Sequence, residues 1–151
     1  MTTQGLFSMH KISARNQLKG TVSRIQEGSV NNEITLALEH GETITTIITK
    51  DSTHALNLGI GGTAYAIFKA PWVVLAELDT NLQFSARNQY HGNITNIHQG
   101  VVTSTVHLRT DKGLDLTANI TNESLQELNL KIGKTVLVLI KSSNIILATE
   151  K

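Results

Sequence analysis

The pentapeptide Ser13-Ala14-Arg15-Asn16-Gln17 returns as Ser85-Ala86-Arg87-Asn88-Gln89, an offset of 72 residues. Moving outward, the same offset pairs Gly20 with Gly92, Gly28 with Gly100, Gly41 with Gly113, Ser52 with Ser124, Gly61 with Gly133 and Lys69 with Lys141. Laid against each other without a gap, segments 13–76 and 85–148 agree at 24 of 64 positions, where unrelated segments would agree at only a few. Self-similarity at a fixed spacing marks a duplicated structural unit. The chain therefore reads as an N-terminal segment (1–12), a first domain (13–76), a linker (77–84) and a second domain (85–151).

Each copy has the patterning of β-structure. Ile34, Leu36 and Leu38 alternate along the chain, as do Leu114, Leu116, Ala118 and Ile120, which is the period of a half-buried strand. Two short apolar runs close each copy, at 65–68 and 72–76 and again at 136–140 and 145–148, and their β-branching favours buried strands. The only helical signal lies between the third and fourth strands. Thr49-Lys50-Asp51-Ser52 precedes Ala55-Leu56, and Thr121-Asn122-Glu123-Ser124 precedes Leu125 and Leu128, so polar cap formers lead into leucines at helical spacing. Gly61 and Gly133 mark the turns that follow. Five strands with one short helix between the third and fourth is the order of an OB-like barrel. The fold expected is all-β: two tandem OB-like five-stranded barrels, each with one short helix. Barrels of this size bury little surface, so further burial through a homo-oligomer is expected. The short polar linker implies that the two copies pack closely.

Composition removes several function classes. With 151 residues, 40% of them apolar and only 4% aromatic, the chain has the makeup of a folded protein with an aliphatic core. A formal charge of +1, without a block of Lys or Arg, lacks the electrostatic footprint of nucleic-acid binding. Stacking on bases would also need repeated aromatics, yet Tyr65, Phe68 and Trp72 face Leu137, Ile140 and Asn144 in the second copy. No cysteine is present, which excludes disulfides and thiolate metal sites. Residues 1–12 hold no apolar run of signal-peptide length and no stretch approaches a membrane span, so a cytoplasmic location without a membrane partner is expected.

Catalytic candidates are equally sparse. None of the six histidines (His10, His40, His54, His91, His98 and His107) recurs at the 72-residue offset, none has zinc-site spacing, and all read as solvated surface residues. Carboxylates recur only as the exchanges Glu39/Asp111 and Asp51/Glu123. Gly59-Ile60-Gly61-Gly62 becomes Lys131-Ile132-Gly133-Lys134, which is a turn and no phosphate loop. No catalytic residue, no cofactor and no directly ligated metal is expected, and the protein reads as a non-enzyme.

A polar set did keep its identity between copies: Ser13/85, Arg15/87, Asn16/88, Thr49/121, Ser52/124 and Lys69/141. One Arg, one Lys and several hydroxyls per copy suit a tetrahedral dianion, because the ligand only accepts hydrogen bonds and these groups donate them. Taken singly, Thr49 and Ser52 equally suit simple helix caps, and Arg15 and Lys69 ordinary surface charges. Recurring together, they favour a binding site.

Ser-Ala-Arg-Asn-Gln-x-x-Gly, the Thr-x-x-Ser at the helix start, and a closing Lys-Ala/Ser followed by an apolar run resemble the molybdate-binding Mop (TOBE) domain. Both copies match, and the arrangement is similar to the two-domain molbindins. That resemblance implies binding of molybdate or tungstate between domains, for storage or homeostasis of molybdenum, in a homo-oligomer expected to be a trimer. By the same resemblance, Ser13 and Arg15 come from one domain, and Thr49, Ser52, Lys69 and the Ala70 backbone N–H from its neighbour. The second copy offers Ser85, Arg87, Thr121, Ser124, Lys141 and Ser142. Ala70-Pro71-Trp72 departs from the small hydroxyl residues after Lys141 and resembles the effector half of the molybdate-responsive repressor. A sensing module of such a regulator is therefore the alternative, although residues 1–12 are too few for its winged helix-turn-helix.

Overall fold

The computed structural model describes residues 10–151. The first copy contributes β1 (Asn16–Glu27), β2 (Asn31–Leu38), β3 (Thr43–Thr49), the helix α1 (Lys50–Ala55), β4 (Thr63–Phe68) and β5 (Val73–Ala76). The second repeats this as β6 (Asn88–Gln99), β7 (Thr103–Thr110), β8 (Asp115–Thr121), α2 (Asn122–Glu127), β9 (Thr135–Ile140) and β10 (Ile146–Ala148). Single 3₁₀ turns, Ala70–Trp72 and Ser142–Asn144, join the last two strands of each copy.

Alternation explains why these segments are strands. In β2, Asn32, Ile34, Leu36 and Leu38 point inward while the residues between them are more exposed, and β7 repeats this with Ser104, Val106, Leu108 and Thr110. The opening strand of each copy is 12 residues long and serves two neighbours. Residues 16–21 pair with β4 and residues 20–27 with β2, a division helped by a register shift between Val22 and Arg24 that curls the strand. Gly20 stands where the two pairings overlap. A Cβ there would lie 2.9 Å from both the Ala37 carbonyl oxygen and Leu38 Cδ2, so only glycine admits the close approach. Gly92 repeats the constraint, its hypothetical Cβ falling 2.8 Å from Val138 Cγ2. The helices are single capped turns: Thr49 Oγ1 accepts from the Ser52 N–H at 3.0 Å, and Thr121 Oγ1 from the Ser124 N–H at 3.1 Å.

The sheets run β10-β4-β1-β2-β3 and β5-β9-β6-β7-β8. Each is antiparallel and five-stranded, as an OB-like fold requires, but the closing strands are exchanged. β5 leaves the first copy to pair with β9, with Val73 opposite Ile140 and Leu75 opposite Val138. β10 returns to pair with β4, with Leu147 opposite Ala66. Val73, Leu75 and Leu147 are buried, so each copy's core is closed by side chains from the other, and one hydrophobic cluster runs through both. Burying a Leu side chain contributes about 1.5–3 kcal/mol, which gives the exchange a stabilising energy of its own.

At the edge of each sheet opposite the exchanged strand lie β3 and β8, where backbone groups would lack partners. Two carboxamides meet that need. Asn88 Oδ1 accepts from the Thr45 N–H at 2.8 Å while its Nδ2 donates to the Thr45 carbonyl at 2.8 Å and to the Ile140 carbonyl at 3.2 Å. Asn16 treats Thr117 of β8 the same way, at 2.9 and 2.8 Å. Each carboxamide thus pairs with both polar groups of one edge residue, as a neighbouring strand would, and both are buried. The Thr46 hydroxyl adds bonds to the Ser142 and Ile145 carbonyls at 3.1 and 3.0 Å.

Because each copy completes the other, unfolding should be a single transition, with circular dichroism and Trp72 fluorescence giving the same midpoint. Asn88→Ala strips two half-buried edge groups of their partner and should cost about 1–3 kcal/mol. Leu147→Ala should cost about 2–5 kcal/mol. Two resolved transitions, one per copy, would contradict the exchanged topology.

Candidate functional site

The antiparallel register Asn16↔Phe68 sets the residues just before Asn16 beside those just after Phe68. Ser13 and Arg15 therefore share one end of the β1–β4 pair with Lys69 and Ala70. The register Asn88↔Ile140 does the same for Ser85, Arg87, Lys141 and Ser142. Ser13, Arg15, Lys69, Ser85, Arg87 and Lys141 are exposed, whereas Ala70 and Ser142 are buried beneath them. Each group thus gathers two cations, a hydroxyl and a tight turn on one copy. Within one chain, strand pairing thus sets Lys69 and Ala70 beside Ser13 and Arg15.

The asparagine clasps aim each group at the other copy. Asn16 is bonded to Thr117 on β8, the strand that runs on to Thr121 and Ser124, and the Ala70–Trp72 turn packs against that strand. Asn88 is bonded to Thr45 on β3, which leads to Thr49 and Ser52, with the Ser142–Asn144 turn packed alongside. Thr117 and Thr121 are four residues apart, roughly 13 Å along a strand. The hydroxyl pairs therefore stand at the far ends of the clasped edge strands. Among the described residues, no hydrogen bond joins them to the cations.

The hydroxyl pairs are organised locally. The Thr49 hydroxyl donates to Ser52 Oγ at 2.9 Å and the Thr121 hydroxyl to Ser124 Oγ at 3.0 Å. Each threonine oxygen also accepts the serine N–H, so the capping role is present in both copies. The serine hydroxyl proton in each pair is left to find another acceptor. Thr49, Ser52 and Thr121 are exposed and Ser124 is partly so.

Electrostatically the two groups differ. Arg87 Nη2 donates to Glu33 Oε1 of the other copy's β2 at 2.7 Å. Arg15 forms no ion pair among the described residues and instead lies near His107, a residue of β7. The expectation that every histidine is solvated surface fails for His107. It is partly buried, with Nδ1 3.3 Å from the hydroxyl of Thr117, the residue that Asn16 clasps. Burial first, then the charges of His98 and Arg15, push its pKa below the ordinary imidazole value, with Asp115 opposing. Among the described residues, no three of His, Cys, Asp and Glu converge as a metal site would need. No described helix is long and apolar enough to cross a membrane.

Sequence comparison between the copies singled out Asn16 and Asn88 among the kept polar residues, but their burial and clasping role is visible only in the fold. It passed over Glu33 and His107, which have no identical counterpart at Thr105 and Thr35.

The neutral form of His107 suits the fold. The stability it contributes is therefore complete above a pH of about 6.5 and declines as pH falls below that value towards the lower folded-state midpoint. An NMR titration should place the His107 midpoint below about 6.5, and Arg15→Ala should raise it by removing a nearby positive charge. A midpoint at or above the ordinary value would contradict this geometry.

Comparison with known proteins agrees with this layout. The TOBE domain matches the chain twice, over residues 12–75 and 85–147. The molybdenum transport protein ModE of Herbaspirillum seropedicae is 33% identical over 141 residues, which make up 93% of this chain and 52% of that protein. The molybdenum-pterin-binding protein MopA of Rhodobacter capsulatus is 35% identical over 138 residues, 91% of this chain and 52% of that protein. The chain thus spans about half the length of these curated relatives. A crystal structure of the cytoplasmic molybdate-binding protein ModG, with molybdate bound, aligns at a TM-score of 0.88 and 39% identity, covering 93% of this chain and 100% of that one. With matched domains in both copies and the two-domain architecture of its structural neighbour, the chain belongs to the TOBE domain family as a two-domain, Mop-type member.

Proposed function

We propose that this protein binds molybdate, and tungstate in the same sites, as a non-enzymatic store or buffer of the oxyanion in the cytoplasm. The observation that carries this reading is the twice-built cation group, Arg15 with Lys69 and Arg87 with Lys141, each held by a buried asparagine against the other copy. A tetrahedral dianion presents only acceptors, and Arg, Lys, Ser hydroxyls and turn N–H groups supply only what it needs. Charge-assisted bonds of this kind contribute about 1.5–3 kcal/mol each. The likeness to ModG, whose crystal structure contains molybdate, supports the same ligand class.

The separation of Thr49 and Ser52 from the cations of their own chain supports a site completed by a second chain. On this reading Ser13, Arg15, Lys69 and the Ala70 N–H receive the ligand from one side, and a Thr–Ser pair of a neighbouring subunit from the other. Ser85, Arg87, Lys141 and Ser142 do the same in the second copy, and Thr121 and Ser124 provide the second hydroxyl pair. A trimer of two-domain chains gives a closed ring of six domains. Bound anion then stabilises the assembly by mass action. The alternative, a molybdate-sensing module of a transcriptional regulator, draws on the ModE relatives, of which this chain spans about half. A DNA-binding domain encoded in the same reading frame would favour it.

Calorimetry should show molybdate binding far more tightly than sulfate, a smaller dianion that donors spaced for molybdate hold at longer distances. Arg15→Ala and Lys69→Ala should each weaken the first-copy site by about tenfold or more, with stability changed by less than about 0.5 kcal/mol. Sulfate binding as tight as molybdate would reject the assignment. Light scattering should report a trimer whose melting temperature rises with molybdate, and a monomer with and without the ion would reject the shared site.

A further inference from the structure

The two copies agree in backbone but differ in what faces their arginines. Arg87 reaches across the junction to Glu33, and the Glu33 side chain is only 24% exposed against 50% for the arginine. A carboxylate so shielded is screened less by salt and water than an ordinary surface partner. At the equivalent position the second copy has Thr105, whose hydroxyl oxygen accepts from Asn119 Nδ2 at 3.4 Å. Arg15 therefore has a neutral residue at the position equivalent to Glu33 and forms no ion pair among the described residues, while Arg87 meets a negative charge.

Resting on the reading that these arginines hold molybdate, we propose that Glu33 is a built-in competitor for the anion at Arg87, which makes the two sites of each chain unequal. A dianion arriving at Arg87 must take the Nη2 donor from Glu33 and then sit beside a displaced carboxylate of the same sign. Both effects oppose binding. At Arg15 neither cost arises. The Arg15 site fills at low molybdate, and the Arg87 site only once the ion is plentiful enough to displace Glu33. One chain then buffers the ion over a wider concentration range than two equal sites would cover.

Calorimetric titration of the full chain with sodium molybdate tests this directly. The wild type should show two classes of site, and Arg15→Ala should weaken the tighter one by about tenfold or more. Glu33→Gln, which keeps the side-chain size, and Glu33→Thr, which copies the second-copy residue, should each tighten the weaker class about tenfold or more and leave the tighter class unchanged. The converse substitution, Thr105→Glu, should loosen the tighter class. Thermal melts confirm that each variant is folded, and the three substitutions at two positions guard against failure of any one. A single class that the Glu33 variants do not alter overturns this inference and leaves the proposed function standing. A weaker class loosened by removing Glu33 also overturns it, because Glu33 then supports the site. Wild-type protein that binds no molybdate overturns the proposed function and this inference together.

Discussion

A carboxamide bonded to both polar groups of one edge residue is the interaction on which this molecule depends. Asn16 on Thr117 and Asn88 on Thr45 occupy edges that five-stranded sheets of this kind leave open, and they do so across the junction between copies. Strand exchange and the clasps act together. The exchanged β5 and β10 bring apolar side chains into the opposite core, and the clasps fix the polar rim of the same junction. Because Asn16 adjoins Arg15 and Asn88 adjoins Arg87, the clasps also determine where the cations stand. A substitution that loosened the clasp would therefore disturb the fold and the site at once.

Much of this was legible in the sequence. The 72-residue repeat implied two equivalent units, and the period-2 alternation in β2 and β8 placed their inward faces. Thr-x-x-Ser before leucines located both short helices, and Gly61 and Gly133 marked the turns with φ of +88° and +94°. The exchange of closing strands was not legible. Val73 and Leu75 show the same alternation whichever sheet they join, and no local pattern states which edge a strand will find. Burial of Asn16 and Asn88 was hidden for a related reason. A polar residue kept beside Ser and Arg looks like part of a binding set until the fold shows it inside.

Looking for identity between copies finds what both need and discards what sets them apart. Ser13/85, Arg15/87 and Lys69/141 emerged in that way. Glu33 and His107 did not, since Thr105 and Thr35 stand opposite them in the repeat. Their significance comes from tertiary placement: Glu33 lies 2.7 Å from Arg87, and His107 lies beside Thr117, the residue that Asn16 clasps. Near-symmetry of the backbone therefore coexists with asymmetry of charge. A duplicated domain can keep one binding geometry and still change the electrostatic cost of filling each copy.

On the proposed reading, an oxyanion sits at the ends of the opening strands, held by the cations that the clasps position. Tungstate is the most direct probe, since its heavy atom scatters anomalously and can be located without assumption about the protein. A crystal of the full chain grown with tungstate should give anomalous peaks within hydrogen-bonding reach of Arg15 and Lys69, and of Arg87 and Lys141. Peaks confined to other surfaces, or none at these four cations, would rule out this placement of the oxyanion.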